Sequence, residues 1–220
     1  MALVAMGSSG CQRRLHSIAL AGLAPVARST VVEWVSRYTP RSPVRYELRW
    51  RFQNDRGAAG GRAAARIVPP DSLRFDFRGP FGKSGAAVVV GDSGIWSKPE
   101  GDFRDVLRSA PLFWAALGMP LAPGPQMEIT GLDRPDRRAW RYAAAQDTID
   151  FVEFRAPPKL MAEMRRGGRI VGLAEARFDA AGQRVVTARL DFPGVESRFT
   201  LSVSAVDTSA VFTSEIWRQP

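Results

Sequence analysis

The chain has 220 residues, 45% of them hydrophobic, which suits one domain with a proper core. Its formal net charge is +9. Its arginines alternate along strand-like segments with acidic neighbours and form no block of five or more, which argues against nucleic acid and leaves a solvated face or an anionic lipid surface. One cysteine, Cys11, and one histidine, His16, both lie near the N-terminus. An internal disulfide is therefore excluded, as are a Cys/His metal site and Cys–His or Ser–His catalysis in the body of the chain unless His16 folds back.

The opening, MALVAMGSSGCQRRLHSIALAGLAPVARST, does not read as part of a fold. One reading takes ALVAM as the end of a signal segment and SSGC as a degenerate lipobox, with Cys11 lipidated and the true start upstream. A second uses Arg13 and Arg14 as the basic region, Leu15 to Ala24 as the apolar stretch and cleavage near Ala27. A third is a disordered tether. On any of these, residues 1–28 are a leader or tether and 29–220 form one domain. No later run reaches 18 apolar residues, so no transmembrane helix is expected.

Ser29 or Thr30 can cap a short helix, VVEWVSRY, closed by Pro40 and Pro43. Strands follow. In YELRWRF, Tyr46, Leu48, Trp50 and Phe52 alternate with Glu47, Arg49 and Arg51; LRFDFRG repeats the pattern with Leu73, Phe75 and Phe77. The expected order is strand 44–54, a Gly-rich turn at Arg56 to Gly61, and strands 62–68 and 72–79. After the loop GPFGKSG come strands 85–90 and 94–97. From Asp102 the period becomes helical, with Phe103, Val106 and Leu107 on one face. Pro111 then starts LFWAALG, whose Leu112, Phe113, Trp114 and Leu117 are apolar nearly all round and must be covered. Strands resume at 127–130, 138–145, 148–155, 159–166, 169–178, 184–192 and 197–206. The fold class is mostly β: about ten strands running mostly by hairpins, with an N-terminal helix and a central helical insertion; a sheet of this size must curl or split, and the helical pieces are natural plugs for its concave face.

Carboxylate pairs Asp133/Asp136 and Asp147/Asp150 are explained by turns and strand alternation, with no histidine beside them. Phosphate-loop, dinucleotide and nucleophile-elbow patterns are absent. No enzyme activity, metal or cofactor is therefore assigned. The aromatic faces are the stronger signal. Tyr46, Leu48, Trp50, Phe52, Leu73, Phe75, Phe77, Trp96, Phe113, Trp114 and Trp140 fall on apolar faces, interleaved with Ala63, Ala65, Ala86, Ala87, Ala174 and Ala176. Large and small residues under a separable plug can leave a cleft, and a cleft of this kind suits acyl chains. The loop Gly79, Pro80, Phe81, Gly82 holds one large apolar residue at a turn, flanked by Arg78 and Lys83. It reads either as tucked back or as a probe for a membrane or partner.

From DSLRFDFRGPFGKSGAAVVVGDSGIWS through LFWAALGMPLAP to AWRYAAA the chain resembles the LolA/LolB group of lipoprotein-localisation proteins, LolB more than LolA. The carrying motifs are GPFG (79–82) and LGMPLAP (117–123), with Phe81 where the family has an exposed loop leucine. A Trp-x-x-Gly element usual in the family is reduced to Gly131. The resemblance implies a half-closed antiparallel β-barrel with the helices as plug or lid, in an outer-membrane lipoprotein facing the periplasm and anchored through Cys11. It also implies that acyl chains of lipoproteins or lipids are the ligand and that Gly79–Gly82 is a transfer loop. A membrane surface and a periplasmic carrier protein are the partners it suggests, and a monomer is expected. The other reading is an outer-membrane lipoprotein with a filled core, acting as an interaction or assembly module.

Overall fold

The computed structural model describes residues 15–100 and 107–219, with the side chain of Phe81 outside that description. Cys11, Phe103 and Val106 therefore lie outside the described residues. Among the described residues a single antiparallel sheet of thirteen strands dominates: β1 (Ala24–Pro25), β2 (Val44–Asn54), β3 (Gly57–Val68), β4 (Ser72–Arg78), β5 (Ser84–Val90), β6 (Ser93–Lys98), β7 (Glu128–Asp133), β8 (Arg137–Ala144), β9 (Asp147–Arg155), β10 (Pro158–Arg166), β11 (Arg169–Phe178), β12 (Val185–Phe192) and β13 (Ser197–Asp207). Their spatial order is β1-β7-β8-β9-β10-β11-β12-β13-β2-β3-β4-β5-β6. Hairpins make most of this order, and the pairing of β13 with β2 joins the two halves. The edges β1 and β6 do not meet, so the sheet curls without closing. Among the described residues no helix is long and apolar enough to cross a membrane.

Among the described residues, the helices α1 (Arg28–Ser36) and α2 (Ala110–Ala116) lie with this sheet. α1 begins before the expected cap: Ala27 occupies that position and no side chain caps it. Val31, Trp34 and Val35 are buried while Val32 is exposed. α2 carries Pro111 in its first turn, where a missing N–H costs nothing. It ends at Gly118, whose φ of +78° suits glycine. A Cβ there would also come 2.4 Å from a Val185 methyl.

Three observations refine the sequence reading. Gly57 to Gly61, read as part of a turn, is strand in β3. Its glycines serve close approach instead of reversal: a Cβ on Gly61 would sit 1.8 Å from the Arg78 carbonyl oxygen. One strand is added to the twelve segments read from the sequence: β1, pairing Ala24 with Gly131 and Pro25 with Thr130. Finally, Leu15 to Ala27, read as leader or tether, lies against the sheet. The Leu15 N–H donates to Asp191 at 2.9 Å and the Ile18 N–H to Glu163 at 2.7 Å. Both carboxylates are buried, and backbone donors supply part of what burial takes from them.

Candidate functional site: the apolar concave face

Strand alternation sorts the sheet into two faces. The inner face carries Tyr46, Leu48, Trp50 and Phe52 from β2, Leu73, Phe75 and Phe77 from β4, and Trp140 from β8; all of them join one apolar cluster. α2 lies in this concavity. Its Phe113 meets Phe75 edge-on at 5.2 Å between ring centres and Phe199 at 6.5 Å. The Trp114 indole N–H reaches the Gly91 carbonyl at 2.8 Å, across the mouth of the β5–β6 turn.

The small residues of the inner face therefore do something other than leave a cleft. Gly172 of β11 faces Leu112, and a Cβ there would stand 2.6 Å from a Leu112 methyl carbon. Ala174 and Ala176 continue that strip, and all three make room for α2. Phe75, Phe113 and Trp114 are each about 1% exposed. These side chains pack around α2, which occupies the concavity.

One assigned residue lies elsewhere. Trp96 packs on the outer face, beneath the Arg74 guanidinium at 5.5 Å, and donates to the Trp217 carbonyl at 3.0 Å. A bulge explains this. Val89 pairs with Gly94 but Val88 pairs with Trp96, so Ile95 is the extra residue and the face reverses across it.

The two helices are held differently. α1 has polar latches that periodicity could not reveal. The Arg28 guanidinium donates to the carbonyls of Pro123, Gly124, Pro125 and Met127 at 2.8–3.2 Å. The Trp34 N–H donates to Glu153 at 2.7 Å, on the inner face of β9. Burial pushes the Tyr38 hydroxyl well above its ordinary pKa, and the neighbouring Glu153 carboxylate adds to that. Among the described residues α2 has no comparable set of charged partners; apolar contact and the Trp114 hydrogen bond hold it. Beside its C-terminus opens a void of about 400 Å³, lined by Tyr38, Tyr46, Leu117, Met119, Phe178 and Val185 among others.

At the opposite end of β2 the loop Gly79–Gly82 is a single 3-10 turn, closed by the Gly79 N–H to the Lys83 carbonyl at 2.7 Å. Trp50 underpins it. The indole N–H donates to the carbonyls of Arg62 and Arg78 at 3.1 and 3.2 Å, and its ring lies 3.4 Å from where a Gly79 Cβ would stand. Pro80 and Gly82 are exposed.

The outer face buries acids in arginine pairs. Arg141 clamps Asp150 with two bonds of 2.6 and 2.7 Å. Burial pushes the Asp191 carboxyl up, yet hydrogen bonds from Arg189, the Leu15 N–H and Arg198 outweigh it and hold the pKa below the ordinary range. These are the partners of structural carboxylates; Asp147 and Asp150 form no converging acid pair, since Asp150 is spoken for by Arg141.

No protein-family model matches the chain, and no curated protein matches it. Solved structures do. A LolA superfamily protein from Nitrosomonas europaea superposes with a TM-score of 0.60 at 10% identity, over 88% of this chain and 98% of that one. A DUF1329 family protein from Desulfovibrio piger gives 0.54 at 10% identity, over 87% and 95%. At such identity the likeness establishes the fold, an open LolA-like β-barrel, and the fold alone.

Proposed function

We propose that this protein is a lipid carrier of the bacterial envelope that binds acyl chains in its concave face when α2 gives way. The supporting observation is the plug itself: an open sheet whose apolar inner face is covered by a seven-residue helix, held mainly by apolar packing. The name of the Nitrosomonas europaea structure, a LolA superfamily protein, points to the same class of work.

The magnitudes fit an exchange. Burying Leu112, Phe113, Trp114 and Leu117 is worth about 1.5–3 kcal/mol each, so about 6–12 kcal/mol opposes undocking. An acyl chain of about sixteen carbons, at about 0.8 kcal/mol per methylene, offers about 13 kcal/mol. The two are comparable, so a chain can replace the helix and be released again. The void beside Leu117 and Met119 is where such a chain would begin to enter.

Within this reading the protein acts as a LolB-like acceptor for lipoproteins or lipids, anchored through a lipidated Cys11. The Gly79–Gly82 loop is its transfer loop, and no catalytic step is involved. Extraction of the purified soluble domain with organic solvent, followed by mass spectrometry, tests the carrier reading. Co-purified acyl lipid is the expected result. A clean extract together with no binding of a fluorescent fatty acid would leave the filled-core interaction module as the better account.

A further inference from the structure

On the outer face, Arg49 of β2 stands opposite Arg62 of β3, and Arg62 stands opposite Arg78 of β4. Three like charges thus occupy consecutive places across three strands, an arrangement that ordinarily destabilises a sheet. Arg51 flanks them one step along β2, and all four are exposed. Nearby arginines are neutralised: Arg45 by Glu47, Arg66 and Arg74 by Asp76, and Arg198 by Asp191. Among the described residues, Arg49, Arg51, Arg62 and Arg78 are paired with no acid.

The row is also held from beneath. The Trp50 indole N–H bonds the backbone carbonyls of both Arg62 and Arg78, fixing the strands at the register that aligns the charges. Beside Arg49 and Arg51 lies a depression of about 210 Å³, to which Arg198 and the hydroxyl residues Thr200 and Ser202 contribute. The row ends where β4 runs into the Gly79–Gly82 turn and Lys83.

We propose that Arg49, Arg62 and Arg78, with Arg51 beside them, are a docking strip for anionic lipid headgroups, which brings the Gly79–Gly82 end of the sheet to a bilayer. Guanidinium groups bind phosphate oxygens in pairs, and a fluid bilayer offers mobile phosphates that need no matching shape. Single-stranded nucleic acid would require stacking aromatics among the charges. Here Trp50, Phe52, Phe75 and Phe77 of the same strands face inward. An acidic protein partner would require an apolar centre to the patch, and the row has none.

The test uses the full chain carrying Cys11→Ser, so that no acyl anchor contributes. Probes are vesicles of phosphatidylcholine alone or mixed with phosphatidylglycerol, read by co-sedimentation. The protein should prefer the phosphatidylglycerol vesicles and lose them as salt rises. R49Q/R62Q/R78Q should bind about a hundredfold more weakly, about fivefold per arginine, and should melt no lower than the parent. R41Q/R134Q/R184Q removes equal charge from turns at the other end of the sheet and should bind nearly as the parent does. Equal loss in both triple variants, no preference for phosphatidylglycerol, or a lowered melting point for the row variant would each overturn the proposal. So would binding of a single-stranded oligonucleotide through the row with no binding of vesicles. Acyl chains are common to both kinds of vesicle and only the headgroup charge differs, so the preference for phosphatidylglycerol reads the arginine row alone; its failure leaves the carrier reading intact, and failed fatty-acid binding leaves this one intact.

Discussion

Replacing Phe113 with alanine separates a helix that plugs a site from a helix that forms its wall. Phe113 is 1% exposed and contacts Phe75 and Phe199 across the concavity. Truncating a phenylalanine so enclosed costs about 3–5 kcal/mol. In a domain of this size each kcal/mol lowers the melting temperature by about 2–4 °C, so a fall of about 6–20 °C is expected. If an acyl chain must displace α2, the same loss is subtracted from the cost of binding. Affinity for a fluorescent fatty acid should then rise, by up to about 150-fold for 3 kcal/mol. Phe75→Ala, on the sheet side of the same contact, should lower stability without that gain. Calorimetry beside a fluorescence titration reads both quantities. A lower melting temperature with weaker binding would make Phe113 part of the site wall, and the exchange reading would fail. An unchanged melting temperature would mean that α2 is not docked as described.

Three further outcomes follow from single residues. Asp191 has a folded pKa below the ordinary carboxylate value of about 3.9, so the stability it contributes is present above about pH 4 and is lost as pH falls through the lower folded value. D191N should therefore be less stable than the parent in urea at pH 7, with the difference shrinking below pH 4; a constant difference would refute the assignment. Gly61→Ala places a methyl against the Arg78 carbonyl, which cannot swing away as a side chain can, and should cost several kcal/mol, at the upper end for single substitutions; a neutral effect in a urea melt would show that the corner relaxes freely. Phe81→Glu should leave the melting curve nearly unchanged while reducing transfer of acylated cargo to liposomes, and marked destabilisation would instead place a buried ring there.

Period-two alternation in YELRWRF and LRFDFRG was enough to mark strands and to say which side chains share a face, because the pleat enforces it. The apolar perimeter of LFWAALG likewise told that this helix must be covered. The reversal at Trp96 was not legible, since one bulged residue, Ile95, flips every side chain after it and leaves composition untouched. The role of Gly172, Ala174 and Ala176 was ambiguous for a similar reason: a small residue makes space, and only the packed structure says that α2 occupies it. The arginine row needed register too. Arg49, Arg62 and Arg78 are separated along the chain, and each alternates with apolar neighbours as any solvated strand residue would. Their alignment comes from β2, β3 and β4 lying side by side at one offset, held by Trp50 and by the space at Gly61. Local sequence fixes which face a side chain takes, because that depends on its neighbours in the chain. What it meets across that face depends on strands brought together from elsewhere, and that was decided by the tertiary structure.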